Sequence, residues 1–488
     1  MRISPHFIRH IHFVGIGGIG MSGIAEVLSN LGYFVSGSDA NESSNIQRLR
    51  NLGIKIHIGH AVENIQGAQV IVVSTAVSKN NPEVIAAQNQ GIAVVQRAEM
   101  LGELMRLKFA VAIAGTHGKT TTTSLMAALF DEAELNPTII NGGILNAYNT
   151  NARLGTGDWV IAEADESDGS FVKLFPTFAV VTNIDEDHMD FYKDFSEIKS
   201  AFMRFLDRVP FYGAAILCAD HEEVQKIIPD LIGKRVVTYG LKEGAHIRAV
   251  NLHATEEGIT FDVDINPPTI QPSLTTLTLM PRRIRGFFLP MMGEHNVQNA
   301  LAVIAVAQEL GISDVVMIKA LSHFKGVKRR FTKVGESHGL TIVDDYAHHP
   351  VEIKTTLKAA RQATKGRVIA VLQPHRYTRL KAFFNDFSES MIDADKIILA
   401  PVFSAGEDSI EGINSEILAH KMRERGQEVY EISDPKELPF MIRRLSQSGD
   451  VVICMGAGSI TYWAASLPVQ LDQLGVDSSD NDSLKAVS

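Results

Sequence analysis

Cysteine is scarce in this chain. Two occur among 488 residues, Cys218 and Cys454, each inside an apolar run (AAILCAD and VVICMG). Neither belongs to a CxxC pair, so a structural zinc site of that spacing is excluded, and both read as buried thiols of a reducing compartment. Long apolar runs are missing as well. No stretch approaches the about 20 apolar residues that a membrane helix needs, so no membrane insertion is expected. The opening residues MRISPHFIRHIHF contain no apolar signal core, which makes a cytoplasmic location the expectation. Positive charge is in deficit. Lys and Arg total 46 against 56 Asp and Glu, a formal net charge of -10, which argues against broad electrostatic binding of nucleic acid. Anionic ligands would have to be held by local clusters.

What is present points to a multidomain α/β protein. At 488 residues the chain exceeds one compact core, and two to four domains of roughly 100–200 residues are expected. Its organising stretch is Phe109–Thr123, FAVAIAGTHGKTTTT. The apolar run from Phe109 to Ala114 reads as a buried strand, and the residues from Thr120 through Leu129 read as a helix. Between them lies Gly115-Thr116-His117-Gly118-Lys119-Thr120. Glycines let such a loop turn its N–H groups onto phosphate oxygens, and the helix N-terminus adds partial positive charge. Lys119 can reach the β- and γ-phosphates, and the Thr120 hydroxyl can bind Mg²⁺. The common pattern has glycine five residues before Gly118; Ile113 stands there, so the match is to the shorter GxxGKT form.

Upstream, a strand at Ile11–Gly15 leads into Gly15-Ile16-Gly17-Gly18-Ile19-Gly20, a helix through Leu31, and a strand Phe34–Ser38 ending in Asp39. Gly15, Gly17, Gly18 and Gly20 against a diphosphate, with Asp39 on a ribose hydroxyl, form a dinucleotide fingerprint. NAD, FAD and nucleotide-diphosphate sugars share those groups, and the loop does not separate them. Alternating strands and helices continue to Gln96, a doubly wound parallel sheet. Ser74 and Thr75 stand at the C-terminal end of one of its strands, where such sheets bind ligands, although hydroxyls there also cap turns.

Downstream, strand Trp159–Glu163 ends in EADESD and strand Phe178–Thr182 ends in NIDEDHMD. A strand beside a phosphate loop needs an acid to hold Mg²⁺, which favours Glu163. His188 is a ligand or a capping or surface histidine, since Mg²⁺ prefers oxygen. The other acids read as caps and supporting partners. Residues 212–290, with the run INPPTIQP, read as a β insertion. Asn296 and Asn299, three apart at the start of the next helix, share a face and either cap it or meet a base edge. A basic connector (Lys325–Phe331) follows, then a third α/β sheet whose strand ends carry Asp345, His348, His375, Arg376 and Arg379. Arginine forks beside a histidine suit a small carboxylate.

These motifs in order, GIGGIGMSG, GTHGKTTT, EADESD, TNIDEDHMD, HNVQN, RRF, DDYAHHP and QPHRYTR, resemble the Mur ligase family of peptidoglycan precursor synthesis. The resemblance covers the chain up to its tail. It implies three domains: residues 1–106, a Rossmann-like parallel sheet for a UDP-sugar; 107–325, a P-loop ATPase α/β domain with a β insertion; and 326–475, a Rossmann-like α/β domain for an amino acid. Residues 476–488 are expected to be a disordered tail. It implies an ATP- and Mg²⁺-dependent ligase joining L-alanine to the lactyl carboxylate of UDP-N-acetylmuramate through an acyl phosphate. In that scheme Gly15, Gly17, Gly18, Gly20, Asp39, Ser74 and Thr75 hold the UDP-sugar. Gly115, Thr116, His117, Gly118, Lys119, Thr120, Thr121, Asn296, Asn299 and Arg330 hold ATP. Thr120, Glu163 and His188 hold the metal, and His375, Arg376 and Arg379 lie by the alanine. Lys119 and His188 are catalytic, with Asp345 or His348 as the base that frees the amine. Some family members carry a carbamylated lysine fifteen residues past the histidine; Met203 stands there, so none is expected. A monomer or weak homodimer is expected. The competing readings are a recycling ligase that adds a tripeptide to the same sugar, a nicotinamide oxidoreductase, which leaves GTHGKT unexplained, and a non-catalytic nucleotide-gated sensor.

Overall fold

A computed structural model of the chain describes residues 8–74, 76–106, 108–145, 150–187, 189, 191–255, 257–266 and 281–477. They form three α/β sheets. In the first, His10–Val14 lies at the centre between Phe34–Asp39 and Val70–Val73, with Lys55–Ile58 and Ala93–Gln96 at the edges. Every pairing is parallel, as βαβ crossovers require. The apolar faces of helices Ile19–Asn30 and Arg97–Arg106 cover it, through Ile24, Val27, Leu28, Leu101 and Leu104.

The second sheet is built around Phe109–Ala114, which pairs in parallel with Phe178–Val181 on one side and Trp159–Glu163 on the other. Ala110 to Ala114 are fully buried. That explains the unbroken apolar run, since a central parallel strand has no wet face. Ala214–Cys218, Val236–Gly240, Ile247–Thr255, Gly258–Ile265 and Arg282–Leu289 continue the order on one flank; Thr138–Leu145 and Thr150–Arg153 complete the other. The last two strands escape a reading by periodicity. The proline-rich run is an expectation that lies, from Pro267 to Pro272, outside the described residues.

In the third sheet the order is Thr332–Ser337, Leu340–Asp345, Val451–Met455, Val368–Leu372, Lys396–Leu399, Val429–Glu431. All neighbours are parallel except the first pair, a hairpin with a bulge. TKVGES lacks alternation and sits at an edge, so the sequence does not announce it. The final helix runs from Ile460 to Asp477, two residues into the segment expected to be tail; residues 478–488 lie outside the described residues. Two compact units result. The first holds residues up to Asn251 with Phe261–Phe288 and Gln298–Lys325; the second holds Leu252–Thr260, Leu289–Val297 and the chain from Gly326.

Candidate active site

The phosphate loop leaves its strand at Gly115, whose φ is +134°. A Cβ there would stand 2.0 Å from the Thr182 hydroxyl, so glycine is required by contact as well as by conformation. Gly118, at φ +83°, caps the helix Lys119–Glu132, and a Cβ on it would meet Asn299 Oδ1 at 2.7 Å. The neighbouring strand end braces the loop: the His117 amide donates to Asn183 Oδ1 at 2.8 Å, Asn183 Nδ2 donates back to His117 O at 3.0 Å, and the Thr182 hydroxyl donates to the same carbonyl at 2.6 Å. Thr116 Oγ1 accepts the Asp185 amide at 2.9 Å. Asp185 also lies 3.4 Å from His117 Nε2 and 3.1 Å from His221 Nε2. Thr121 is buried in the first turn of the helix.

Lys119 Nζ donates to Gly115 O at 2.7 Å, Thr116 O at 3.2 Å and Glu166 Oε1 at 2.8 Å. Burial works against its charge, yet Glu166, Asp165 and Glu163 outweigh that and raise its pKa. The lysine is therefore a fixed cation. Thr120 Oγ1 lies 3.2 and 3.3 Å from the two carboxylate oxygens of Glu163. Three hard oxygens converge there, the donor type that Mg²⁺ selects, so these two residues fit the ion expected of them. His188 lies outside the described residues. Asn299 accepts from Thr122 Oγ1 at 3.2 Å and stands beside Gly118. Asn296 instead donates to Met292 O at 2.7 Å, four residues back, as a helix-start residue does.

At the first sheet, Gly15 has φ +80° and its amide donates to Ser38 O at 2.8 Å. Asp39 Oδ2 accepts the Gly17 amide at 2.8 Å, so the acid holds the loop's shape. Gly18 precedes the helix. Gly20 makes room for Arg97, whose Nη1 would be 3.1 Å from a Cβ there. Ser74 Oγ accepts the Ala76 amide at 3.4 Å, a turn-forming contact; Thr75 lies outside the described residues.

In the second unit Asp345 is buried, which pushes its carboxyl above the usual range despite the Arg330 charge. His348 Nδ1 is 2.9 Å from Tyr346 O and 3.3 Å from Glu352 Oε2. Burial lowers its pKa against the pull of Glu352. Its ring meets that of His375 edge-on at 5.8 Å, and His375 stacks on Phe403 at 5.6 Å. Burial, with His348, Arg379 and Arg376 nearby, pushes His375 down to about 4. Arg379 Nη1 is 3.4 Å from His375 Nδ1. Arg376 takes φ +67° and points toward Glu407, its Nε 3.9 Å from that carboxylate. Arg330 lies over the Tyr346 ring at 5.5 Å. His348, His375 and Arg379 thus lie together, with Arg330 over Tyr346 and Asp345 at the end of strand Leu340–Asp345, whereas Arg376, grouped with His375 and Arg379 in the sequence, faces Glu407.

Four participants escaped the sequence reading. Glu166, grouped with its neighbours as caps and supporting partners, is specifically the ion partner of Lys119, and Asn183 clasps the phosphate loop. Arg97 stands by the first glycine loop, and Phe403 backs His375. Arg97 follows strand Ala93–Gln96 directly, a strand-end position that could have flagged it. Asn183, just past strand Phe178–Val181, shares that strand-end position, whereas Phe403 carries no such signal.

Three family models match the chain: "Mur ligase family, catalytic domain" over residues 10–109, "Mur ligase middle domain" over 113–307 and "Mur ligase, glutamate ligase domain" over 329–458. A UDP-N-acetylmuramate–L-alanine ligase of Rhodopseudomonas palustris is 54% identical over 97% of this chain and 100% of its own length. One of Rhodospirillum rubrum is 53% identical, with 97% of both chains covered. Among solved structures, the UDP-N-acetylmuramate–alanine ligase of Thermotoga maritima superposes with a TM-score of 0.75 at 27% identity, covering 96% of this chain and all of that one. A murein peptide ligase of Psychrobacter arcticus, at 23% identity and a TM-score of 0.65 over 95% of this chain and 98% of that one, shares the fold.

Proposed function

The chain belongs to the Mur ligase family, and on that premise we propose that it joins L-alanine to UDP-N-acetylmuramate in an ATP-driven step. The observation that carries this reading is the cluster of Lys119, Thr120 and Glu163 at one end of the central parallel sheet, in a chain 54% identical over nearly its whole length to ligases of that name.

A carboxylate is a poor electrophile, so the lactyl carboxylate is first phosphorylated. Its oxygen attacks the γ-phosphorus of ATP, an acyl–O–P bond forms, and ADP leaves. The amine of alanine then attacks the acyl carbon; the C–N bond forms, the C–O bond breaks, and phosphate departs. Both steps bring anions together, and the chain's contribution is placement and charge. Lys119 offers a permanent ammonium to the β- and γ-phosphates, and the helix N-terminus after Gly118 adds partial positive charge there. Mg²⁺, held by Thr120, Glu163 and His188, would supply further positive charge. Asn296, Asn299 and Arg330 are assigned to ATP on the strength of the family motifs HNVQN and RRF.

The attacking amine must lose a proton. With Nδ1 donating to Tyr346 O, His348 carries its lone pair on Nε2, the tautomer a base needs. Its depressed pKa keeps it neutral. Asp345 has both oxygens engaged by amides, which favours His348. His375, Arg376 and Arg379 are assigned to the alanine carboxylate. Gly15, Gly17, Gly18, Gly20, Asp39, Ser74 and Thr75 are assigned to the UDP-sugar. The buried, unpaired Cys218 and Cys454 accord with a cytoplasmic location. Among the described residues no helix is long and apolar enough to cross a membrane.

The test is phosphate release from ATP with UDP-N-acetylmuramate and, in turn, L-alanine, L-serine, glycine and a tripeptide. Release with L-alanine is expected. Release with the tripeptide alone would reassign the chain to recycling, and none with any acceptor would leave a binding protein.

A further inference from the structure

Lys119 has no unused donor. Its three N–H bonds reach Gly115 O, Thr116 O and Glu166 Oε1 at 2.7, 3.2 and 2.8 Å. The two carbonyls belong to the phosphate loop and stay with the lysine wherever the loop goes. Glu166 does not. It sits beyond strand Trp159–Glu163 with its side chain 3% exposed. The Glu166 carbonyl accepts the Tyr192 hydroxyl at 2.6 Å and the Gly169 amide at 3.0 Å. Gly169 takes φ +63° with the Phe191 ring 2.7 Å from where a Cβ would be. This turn is therefore fixed by its own contacts, and it aims a carboxylate at the one ammonium of the loop.

We propose that Glu166 is a placeholder anion: it pairs with Lys119 and competes with the terminal phosphates of the nucleotide for the same ammonium. The inference rests on the reading that ATP occupies this loop. A buried ammonium without an anion is costly, so the pair stabilises the fold. Nucleotide entry exchanges one N–H···O⁻ contact for another and brings phosphate beside a buried carboxylate, and both effects weaken binding. Glu166 acts through Lys119 and is a positioning residue.

The sign of one substitution separates this from a plain structural role. Glu166→Gln keeps the shape and removes the charge. With the full-length protein at fixed Mg²⁺, calorimetric titration should give a Kd for ADP about tenfold lower than wild type, the scale of one partly buried charge pair. AMP, which carries no β-phosphate to meet the lysine, should bind unchanged. Glu166→Asp retreats by one methylene and should fall between, tightening ADP about twofold to threefold; it also serves if the glutamine variant fails to fold. The nucleotide-free Glu166→Gln protein should melt at a lower temperature than wild type. Weaker or unaltered ADP binding in these variants overturns the placeholder role, as does equal tightening of AMP. Wild-type protein that binds neither ADP nor ATP overturns the nucleotide reading itself, and this inference with it.

Discussion

Asp345 clasps Phe331. Its Oδ2 accepts the Phe331 amide at 2.7 Å while its Oδ1 accepts the Ala347 amide at 2.7 Å and the Thr356 hydroxyl at 3.3 Å. The carboxylate ties the strand end to the connector that carries Arg329 and Arg330, where Arg329 and Phe331 take φ +61° and +48°. Asp345→Asn turns one acceptor into a donor against a fixed amide. It should destabilise the chain by about 1–3 kcal/mol, read as a lower urea midpoint.

His348→Gln should behave differently. Glutamine keeps a donor for Tyr346 O, so the urea midpoint should fall less than in Asp345→Asn, while kcat should fall by about 10²-fold or more as the base is lost. A variant with full kcat would return the role of base to another group.

Lys119→Ala should lower turnover by roughly 10³-fold or more, since it removes the phosphate loop's own fixed cation. The residue is remote in sequence from Gly15 to Gly20, so titration with the UDP-sugar should still show binding. Full activity in this variant would refute the assignment.

Glu163→Gln removes the only negative charge from the donor set proposed beside Thr120 and replaces one of its two carboxylate oxygens by an amide nitrogen. The Mg²⁺ concentration for half-maximal rate should rise by about tenfold or more. A Mg²⁺ dependence identical to wild type would remove Glu163 from the metal site.

Acid should loosen the first sheet through Glu83. This carboxylate is fully buried; its oxygens take the Ser38 hydroxyl at 2.5 Å and Asn64 Nδ2 at 2.5 Å, with His60 Nδ1 at 3.3 Å and His12 Nε2 at 3.7 Å. Burial alone would raise its pKa, but His12, Ser38 and Asn64 outweigh that and bring it from 4.5 to about 2. The unfolded chain therefore binds the proton more tightly. The group stabilises the fold fully above pH 4.5, and the contribution, about 3 kcal/mol, is lost as pH falls from there toward 2. Glu83→Gln should flatten the chain's melting temperature over that interval, and an equally steep acid limb in the variant would assign it to other carboxylates.

Much of the fold is legible because burial writes itself into composition. Phe109–Ala114 and Phe178–Val181 are central parallel strands, and both are apolar throughout. Thr138–Leu145 and Thr332–Ser337 are not, because strands toward a sheet's edge tolerate polar residues and glycine. The turn function of Gly115 and Gly118 follows from the motif. The grip of Asn183 on His117 does not, since the partners are 66 residues apart.

The order of motifs along the chain determined the family and the three sheets and singled out Lys119 and Glu163 as candidates, because strand ends and glycine turns are local and leave local marks. Tertiary structure decided which acid answers the lysine. The run Glu163–Asp168 holds four acids, Glu163, Asp165, Glu166 and Asp168, with nothing in their spacing to rank them; Tyr192 and Gly169 fix the turn that turns Glu166 inward. Electrostatic partnership depends on distance in space, and a turn's direction is set by contacts the sequence does not place side by side.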